Sequence, residues 1–166
     1  MLQADERDPA APDDQFMGPI VADGLGGWFV IWGDDRTFNQ TGNDIYAQHI
    51  LPDGSIDPVW PVDGAPVSAS AGDQSLARAI VDGAGGLLLV WDDSRANTNE
   101  VYANRLTPSG QVAAGWPANG RPLISPPAVR YFDGDCVPDG EGGGLVEWYT
   151  PQGSTTYVLR ITPEGT

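Results

Sequence analysis

Basic, redox-active and metal-binding residues are scarce in this sequence. Its 166 residues include no lysine, eight arginines, one histidine and one cysteine. Without lysine, Schiff-base and P-loop chemistry are excluded. With Cys136 as the lone cysteine, an internal disulfide and a four-ligand zinc cluster are excluded, and we expect a small buried apolar residue rather than a nucleophile. Nothing around His49 in the sequence indicates a His-containing triad or a multi-His metal site.

Positive charge is also scarce, because eight basic residues stand against 23 acidic ones and the formal net charge is -15. Such a chain repels phosphate groups, so we expect binding neither to nucleic acid nor to anionic membranes. No apolar run approaches the length of a membrane span, and residues 1–8 show neither a signal-peptide nor a transit-peptide pattern. We therefore expect a soluble chain, whose export signal, if it works outside the cell, has been removed or lies upstream.

Glycine, proline and large aromatic residues are plentiful. The 22 glycines and 15 prolines disfavour helices, which makes a helix bundle a poor prediction. Six tryptophans and five tyrosines argue against disorder, because rings of this size are usually packed. The composition thus favours one β-rich domain.

A repeat of roughly 55 to 59 residues organises the chain. An Asp-Gly-x-Gly-Gly segment that leads into an apolar run ending in Trp occurs in three copies, at 21–32, 80–91 and 137–148. An acidic residue followed by an apolar-Tyr-Ala segment occurs at 44–47 and 100–103, and a Trp-Pro-x-Asx-Gly segment at 60–67 and 116–123. Several residue types recur in the same order, so the copies are equivalent structural units.

Each copy divides into short strands between turn signals. We expect strand a at about 16–22, 76–81 and 131–137, ending at the Gly-rich turn. Strand b, as in 87–91, is almost continuously apolar, which indicates burial on both faces. Strand c alternates, as in 45–50. Strand d is short and contains Pro, at 66–67 and 122–124, which suits the edge of a sheet.

Four antiparallel strands per repeat are typical of a β-propeller blade. The motifs Asp-Gly-x-Gly-Gly, Trp-x-Asp-x-Arg and Asp-Ile-Tyr-Ala-Gln also make residues 14–166 resemble secreted bacterial β-propeller proteins, whose shape is often called sialidase-like. The resemblance implies an all-β propeller and an extracellular location. It specifies no activity, because propellers host many functions. The third copy departs from it after Trp148, where the Asp and the Arg are missing.

We expect three antiparallel blades of the four-stranded type, at about 14–72, 73–129 and 130–166, of which the third stops after strand c and lacks its own strand d. Closed propellers have about four to eight blades, so three leave two apolar end faces without a partner. Either two chains close a six-bladed ring about a two-fold axis, which we favour, or the chain is a piece of a longer propeller. The acidic, Pro-rich segment 1–13 is a possible closing strand, although its composition is a weak one for a strand.

Asp, Asn, Gln and Glu residues in the loops after strand b and before strand a invite three interpretations. Arg36 with Asp44, and Arg95 with Glu100, are expected to form ion pairs across the b–c hairpin. Alternatively, the Asp, Asn and Gln side chains of the b–c and d–a loops bind sugar hydroxyls or Ca²⁺ through their oxygen atoms, since these loops should share one face of a propeller. The third interpretation is that these residue types are simply common in turns. The candidate ligand-binding residues are Asp34, Asp35, Asn39, Asp73, Gln74, Asp92, Asp93 and Asn97.

The tryptophans are expected to pack rather than to bind sugar. Trp32, Trp91 and Trp148 end strand b in every copy and should lie between blades, whereas the two tryptophans at 60 and 116 should cover a sheet edge. Trp28, which is replaced by Leu and Gly in the other copies, should pack in the core or make a contact special to the first blade.

The leading functional hypothesis is a non-catalytic propeller module for assembly or recognition, with a second copy of itself as the expected partner. A glycan-binding, lectin-like propeller is the first alternative. A fragment of a sialidase-like glycosidase is the second alternative, and it ranks last because no arginine cluster with a Tyr/Glu nucleophile pair is visible. No cofactor is expected, apart from the Ca²⁺ considered above.

Overall fold

A computed structural model describes residues 14–96, 100–124, 134–149 and 156–166. These residues form an all-β structure of three antiparallel sheets, with one four-residue helix, α1, at Phe38–Thr41. The segment 1–13, named above as a possible closing strand, lies outside the described residues.

The three sheets follow one another along the chain. The first sheet contains β1 (Gln15–Ala22), β2 (Trp28–Asp34), β3 (Asp44–Ile50) and β4 (Ala65–Ser68). The second contains β5 (Gln74–Val81), β6 (Leu87–Asp93), β7 (Glu100–Leu106) and β8 (Arg121–Ile124). The third contains β9 (Asp135–Pro138), β10 (Gly144–Tyr149) and β11 (Thr156–Ile161), in which β10 lies in the middle.

The strands match the expected positions because hydrophobic patterning and Gly-rich turns delimit them locally. In the first a–b turn, Gly24 and Gly26 adopt φ of 80° and 99°, values that side chains rarely tolerate. The register also repeats, since the Trp that ends strand b pairs with the Tyr of strand c in all three sheets. The expected strand 131–137 is shorter, beginning at Asp135, and residues 131–133 lie outside the described part.

Two apolar cores lie between successive sheets. We call the face that a sheet turns toward the preceding sheet its leading face, and the opposite face its trailing face. The trailing face of the first sheet, formed by Phe29, Ile31, Ile45 and Ala47, packs against the leading face of the second, formed by Leu87, Leu89, Trp91, Tyr102 and Leu106. The trailing face of the second sheet, formed by Ile80, Leu88, Val90, Val101 and Ala103, packs against the leading face of the third, which includes Val146, Trp148 and Ile161. Consequently β6 is buried on both faces, as predicted, whereas β2 is buried on one.

The structure contradicts two of the predictions made for tryptophan positions. The prediction that Trp60 and Trp116 cover a sheet edge was wrong, because both are buried in the cores between sheets. Their indole N–H groups donate to the carbonyls of Pro108 and Pro163, in the turn after strand c of the next sheet. The prediction of a core position for Trp28 was also wrong, because its side chain is 42% exposed. Sequence periodicity indicates whether a ring lies on a strand face or in a turn, but it does not indicate which face of a sheet is covered by the adjacent sheet.

Candidate functional site

Two of the predicted ligand-binding aspartates, Asp93 and Asp34, are buried in ion pairs with arginine. Asp93 is 1% exposed, and its carboxylate accepts hydrogen bonds from Trp91 Nε1 (2.9 Å), from the backbone N–H of Arg95 (3.0 Å) and from Arg95 Nε (2.7 Å). The Arg95 guanidinium also lies 4.0 Å from the ring centre of Tyr102. Asp93 and Arg95 together therefore link strand b, the loop after it and strand c.

The same arrangement recurs in the first sheet. Asp34, also 1% exposed, accepts hydrogen bonds from Trp32 Nε1 and from the backbone and guanidinium of Arg36. Burial by itself raises the pKa of Asp34, but the hydrogen bonds from Arg36 and Trp32 outweigh it and leave that pKa below its ordinary value. Asp34 is thus a charged structural group.

The ion pairs expected across the b–c hairpin were assigned to the wrong acids. Arg36 pairs with Asp34, and Arg95 pairs with Asp93, rather than with Asp44 and Glu100. An acid two residues before the arginine folds back onto it, a short-range geometry that spacing alone did not favour.

Asp44 is instead held by hydroxyl groups. Its Oδ2 accepts hydrogen bonds from Thr37 (2.6 Å) and Thr41 (2.9 Å), the residues before and at the end of α1. Burial raises the pKa of Asp44, and the two hydroxyl donors offset that effect only in part. This buried carboxyl anchors α1 onto the start of β3.

The loops that were expected to share a face do come together. The backbone N–H of Asn43 donates to Asp73 Oδ1 (3.1 Å), the N–H of Gln74 donates to the Asn43 carbonyl (2.8 Å), and the N–H of Ser94 donates to the Asp73 carbonyl (2.9 Å). Hydrogen bonds therefore join the b–c loops of two sheets to the d–a loop between them.

The remaining candidates differ in exposure. Asn39 and Asp73 are exposed, Asp35 is half-buried, and Asp92 is 3% exposed. Asn97 lies outside the described residues. Gln74 is 1% exposed, and its Nε2 donates to the carbonyls of Ser70 and Gly72.

A cleft of about 560 Å³ lies between the first and second sheets beside this loop junction. Its polar lining comes from Asn43, Gln74, Ser75 and Arg78, and its apolar lining includes Phe16 and Trp32. Of the seven predicted site residues that the structure describes, Gln74 alone lines this cleft. An apolar wall with a few hydrogen-bonding groups and one guanidinium suits a small polar ligand with an apolar side.

Sequence reasoning missed a second repeated arrangement, at the opposite end of strand b. The aspartate of each Asp-Gly-x-Gly-Gly turn accepts hydrogen bonds from two backbone N–H groups of its own turn and also pairs with a basic side chain, His or Arg, on strand c. The pairs are Asp23 with His49, Asp82 with Arg105 and Asp139 with Arg160. A basic residue at one strand-c position in every copy was the available signal.

In the first sheet, His49 lies between two carboxylates. Its Nδ1 is 2.8 Å from Asp57 and its Nε2 is 3.1 Å from Asp23, and the ring stacks on Phe29 with centroids 4.5 Å apart. Desolvation opposes ionisation of Asp23, yet the turn N–H groups and His49 lower its pKa. The backbone N–H of Val59, followed by His49, lowers the pKa of Asp57.

Cys136 has the surroundings of a packing residue. It is 7% exposed, and burial, with a smaller contribution from Asp135, raises the pKa of its thiol to about 12. A thiolate nucleophile is therefore disfavoured at this position. Within the described ranges, no three His, Cys, Asp or Glu side chains are grouped so that they could hold a metal ion. The described part of the chain likewise contains no helix that is long and apolar enough to span a membrane.

Comparison with known proteins gives little further guidance. No family model matches the chain, and no curated protein matches it. Among solved structures, the chain is similar to the endo-arabinase from Bacteroides thetaiotaomicron VPI-5482, with a TM-score of 0.49 and 14% sequence identity. The similarity covers 88% of this chain and 55% of the endo-arabinase chain, so the chain spans about half the length of that structure.

Proposed function

We propose that this chain is a non-catalytic β-propeller module for assembly or recognition, which acts outside the cell. The observation that carries the proposal is the serial, face-to-face packing of three equivalent sheets. The first strands of successive sheets, β1, β5 and β9, contact one another in turn, as inner strands around a propeller axis do. Each sheet therefore contacts the next through its first strand, which supports the propeller interpretation.

The state of the acidic residues supports a non-catalytic role. A glycosidase of the retaining or inverting type needs two carboxyl groups flanking a substrate. Asp34 and Asp93 are instead buried and ion-paired, and Asp44 is buried under two threonine hydroxyls. A panel of aryl glycosides tests this role, with no turnover as the expected result. Turnover that is lost in a Ser75→Trp variant, which fills the cleft, would contradict it.

Assembly is supported by the two end faces of the stack. The first sheet exposes Met17, Ile20 and Trp28 on its leading face, and the third exposes Leu145 and Val158 on its trailing face. A stable chain rarely leaves such faces in water. We propose that further blades cover them, with a second copy of the chain closing a six-bladed ring. Light scattering during size-exclusion chromatography is the test, and a species of 17.6 kDa at all concentrations would contradict self-association.

Glycan binding is a second candidate function, favoured by the cleft beside the loop junction. Ser75 and Arg78 lie at its wall with Phe16, a combination of polar and aromatic residues that suits a sugar. A glycan array, run with and without Ca²⁺, tests it. Binding by a simple sugar that competes in solution and is lost in Ser75→Trp would support it, and an empty array would contradict it.

A further inference from the structure

We infer that two copies of this chain associate head to tail, with the trailing face of one copy's third sheet packed on the leading face of the other copy's first sheet. The inference rests on the proposed function and specifies the partner and the surfaces. The two faces lie at opposite ends of the stack, so the pairing is heterologous, and two such contacts about a two-fold axis close a ring.

The template for this contact is the packing between the second and third sheets. Gly144 begins β10, and a methyl group added to it would lie 2.7 Å from Ile80 Cδ1 and 3.2 Å from Leu88 Cδ2. Ile80 and Leu88, which pair across β5 and β6, therefore cover the first residue of strand b in the following sheet. At the interface between the first and second sheets, that strand-b position is held by Leu87, which is buried in the shared core.

The equivalent groups at the two ends of the stack are exposed. Trp28 holds the position of Leu87 and Gly144, and it is 42% exposed. Val137 and Leu145 hold the positions of Ile80 and Leu88, pair across β9 and β10 in the same way, and are 49% and 39% exposed. In the paired copies, Val137 and Leu145 cover Trp28, which explains why the first sheet alone has a large ring at this position.

Polar groups at the rim of the leading face follow the same equivalence. In the second sheet, Asn104 Nδ2 donates to the Val67 carbonyl of the preceding sheet (2.8 Å), and Asn119 Oδ1 accepts from the Ala69 N–H (3.1 Å). Gln48 and Asp63 hold these two positions in the first sheet. Both line a groove of about 600 Å³ on its leading face. Gln48 Nε2 donates to the Pro61 carbonyl of its own c–d connection (2.7 Å), whereas Asp63 is exposed, so Asp63 is the acceptor in place for a preceding sheet.

Two acidic residues of the trailing face oppose the association: Glu147, and Asp135, which is exposed and pairs with it across β9 and β10. Glu147 is exposed on the trailing face of the third sheet, beside Leu145 and opposite Val158, at the position that Val90 holds in the second sheet. Covering its carboxylate costs free energy because a charge leaves water. The equivalence therefore predicts that Glu147→Val tightens the association by about tenfold or more, which corresponds to about 1.4 kcal/mol.

The decisive experiment is complementation between two single variants of the full chain. Trp28→Glu places a charge on the leading face, and Leu145→Glu places one on the trailing face. In a dimer of either single variant, every contact between a leading and a trailing face therefore contains one altered face. An equimolar mixture has one intact pair, formed by the trailing face of the Trp28→Glu copy and the leading face of the Leu145→Glu copy. Sedimentation velocity should show each variant at 17.6 kDa, wild type at twice that mass, and the mixture associating in pairs.

Controls separate the possible failures. Phe38→Glu changes an exposed ring of α1 and should leave the wild-type mass unchanged. Ile20→Glu and Val158→Glu repeat the complementation at positions that are 67% and 64% exposed, where misfolding is less of a concern. Wild type that stays monomeric would overturn both this inference and the proposed self-association. If wild type associates, three results would overturn the head-to-tail ring alone. These are a single variant that still dimerises, a mixture that does not pair, and wild type that grows beyond two copies.

Discussion

Removing the buried carboxylate of Asp93 should destabilise the chain strongly. Its side chain is fully buried against Arg95, whose own side chain is 21% exposed. In Asp93→Ala, the indole N–H of Trp91, a ring with 0% exposure, loses its acceptor, and a largely buried guanidinium loses its counter-charge. Breaking a buried pair by removing one partner typically costs about 3–5 kcal/mol.

Remaining contacts of Arg95 limit the size of this loss. Its Nη2 already donates to Ser68 Oγ (3.2 Å) and to the Asn119 carbonyl (2.8 Å), so the charge keeps two neutral acceptors. We therefore expect the lower half of the range, about 3 kcal/mol, which for a chain of this size lowers the melting temperature by about 6–12 °C.

Urea unfolding followed by tryptophan fluorescence measures this free energy at a fixed chain concentration. Asp53→Ala is the matched control, because Asp53 is exposed and bonds only within its own turn, to the backbone and hydroxyl of Ser55. The control should lose less than about 1 kcal/mol. If the losses in Asp93→Ala and Asp53→Ala differ by less than that amount, the buried ion pair does not hold the sheet together.

Two further substitutions test contacts that the repeats share. Trp60→Phe removes the indole N–H that donates to the Pro108 carbonyl across two sheets (2.8 Å), and calorimetry should show a loss of about 1–2 kcal/mol; an unchanged melting temperature would contradict that role. His49→Arg places a permanent cation beside Asp23 and Asp57, as Arg105 and Arg160 do beside the equivalent aspartates of the other two sheets, so the unfolding free energy at pH 8 should rise by up to about 1 kcal/mol. Since the pKa values of Asp23 and Asp57 are lowered in the fold, the stability that these carboxylates contribute is present above about pH 4 and is lost as the pH falls below it. Urea unfolding of wild type and variant at a series of pH values from 8 downward measures both effects, and equal unfolding free energies at pH 8 would refute the pairing.

Sequence periodicity predicted strand positions well and side-chain partners poorly. Strands such as Leu87–Asp93 are delimited by an apolar run and glycine turns, which act over a few residues. The partner of Arg95 depends on how the loop after Trp91 folds back, and the sequence offered several acids within reach. Similarly, the carboxylates of Asp23 and Asp57 meet on His49 only because a turn and a c–d connection converge on strand c.

The amino-acid sequence by itself determined the all-β class, the repeat and the antiparallel order of strands, because hydrophobic patterning and glycine turns are local. Tertiary structure decided which face of each sheet is covered, which acids became buried ion pairs and which ring remained in water. Those outcomes depend on the neighbour that packs against each residue, and a strand carries the same pattern whether a sheet or solvent lies in front of it.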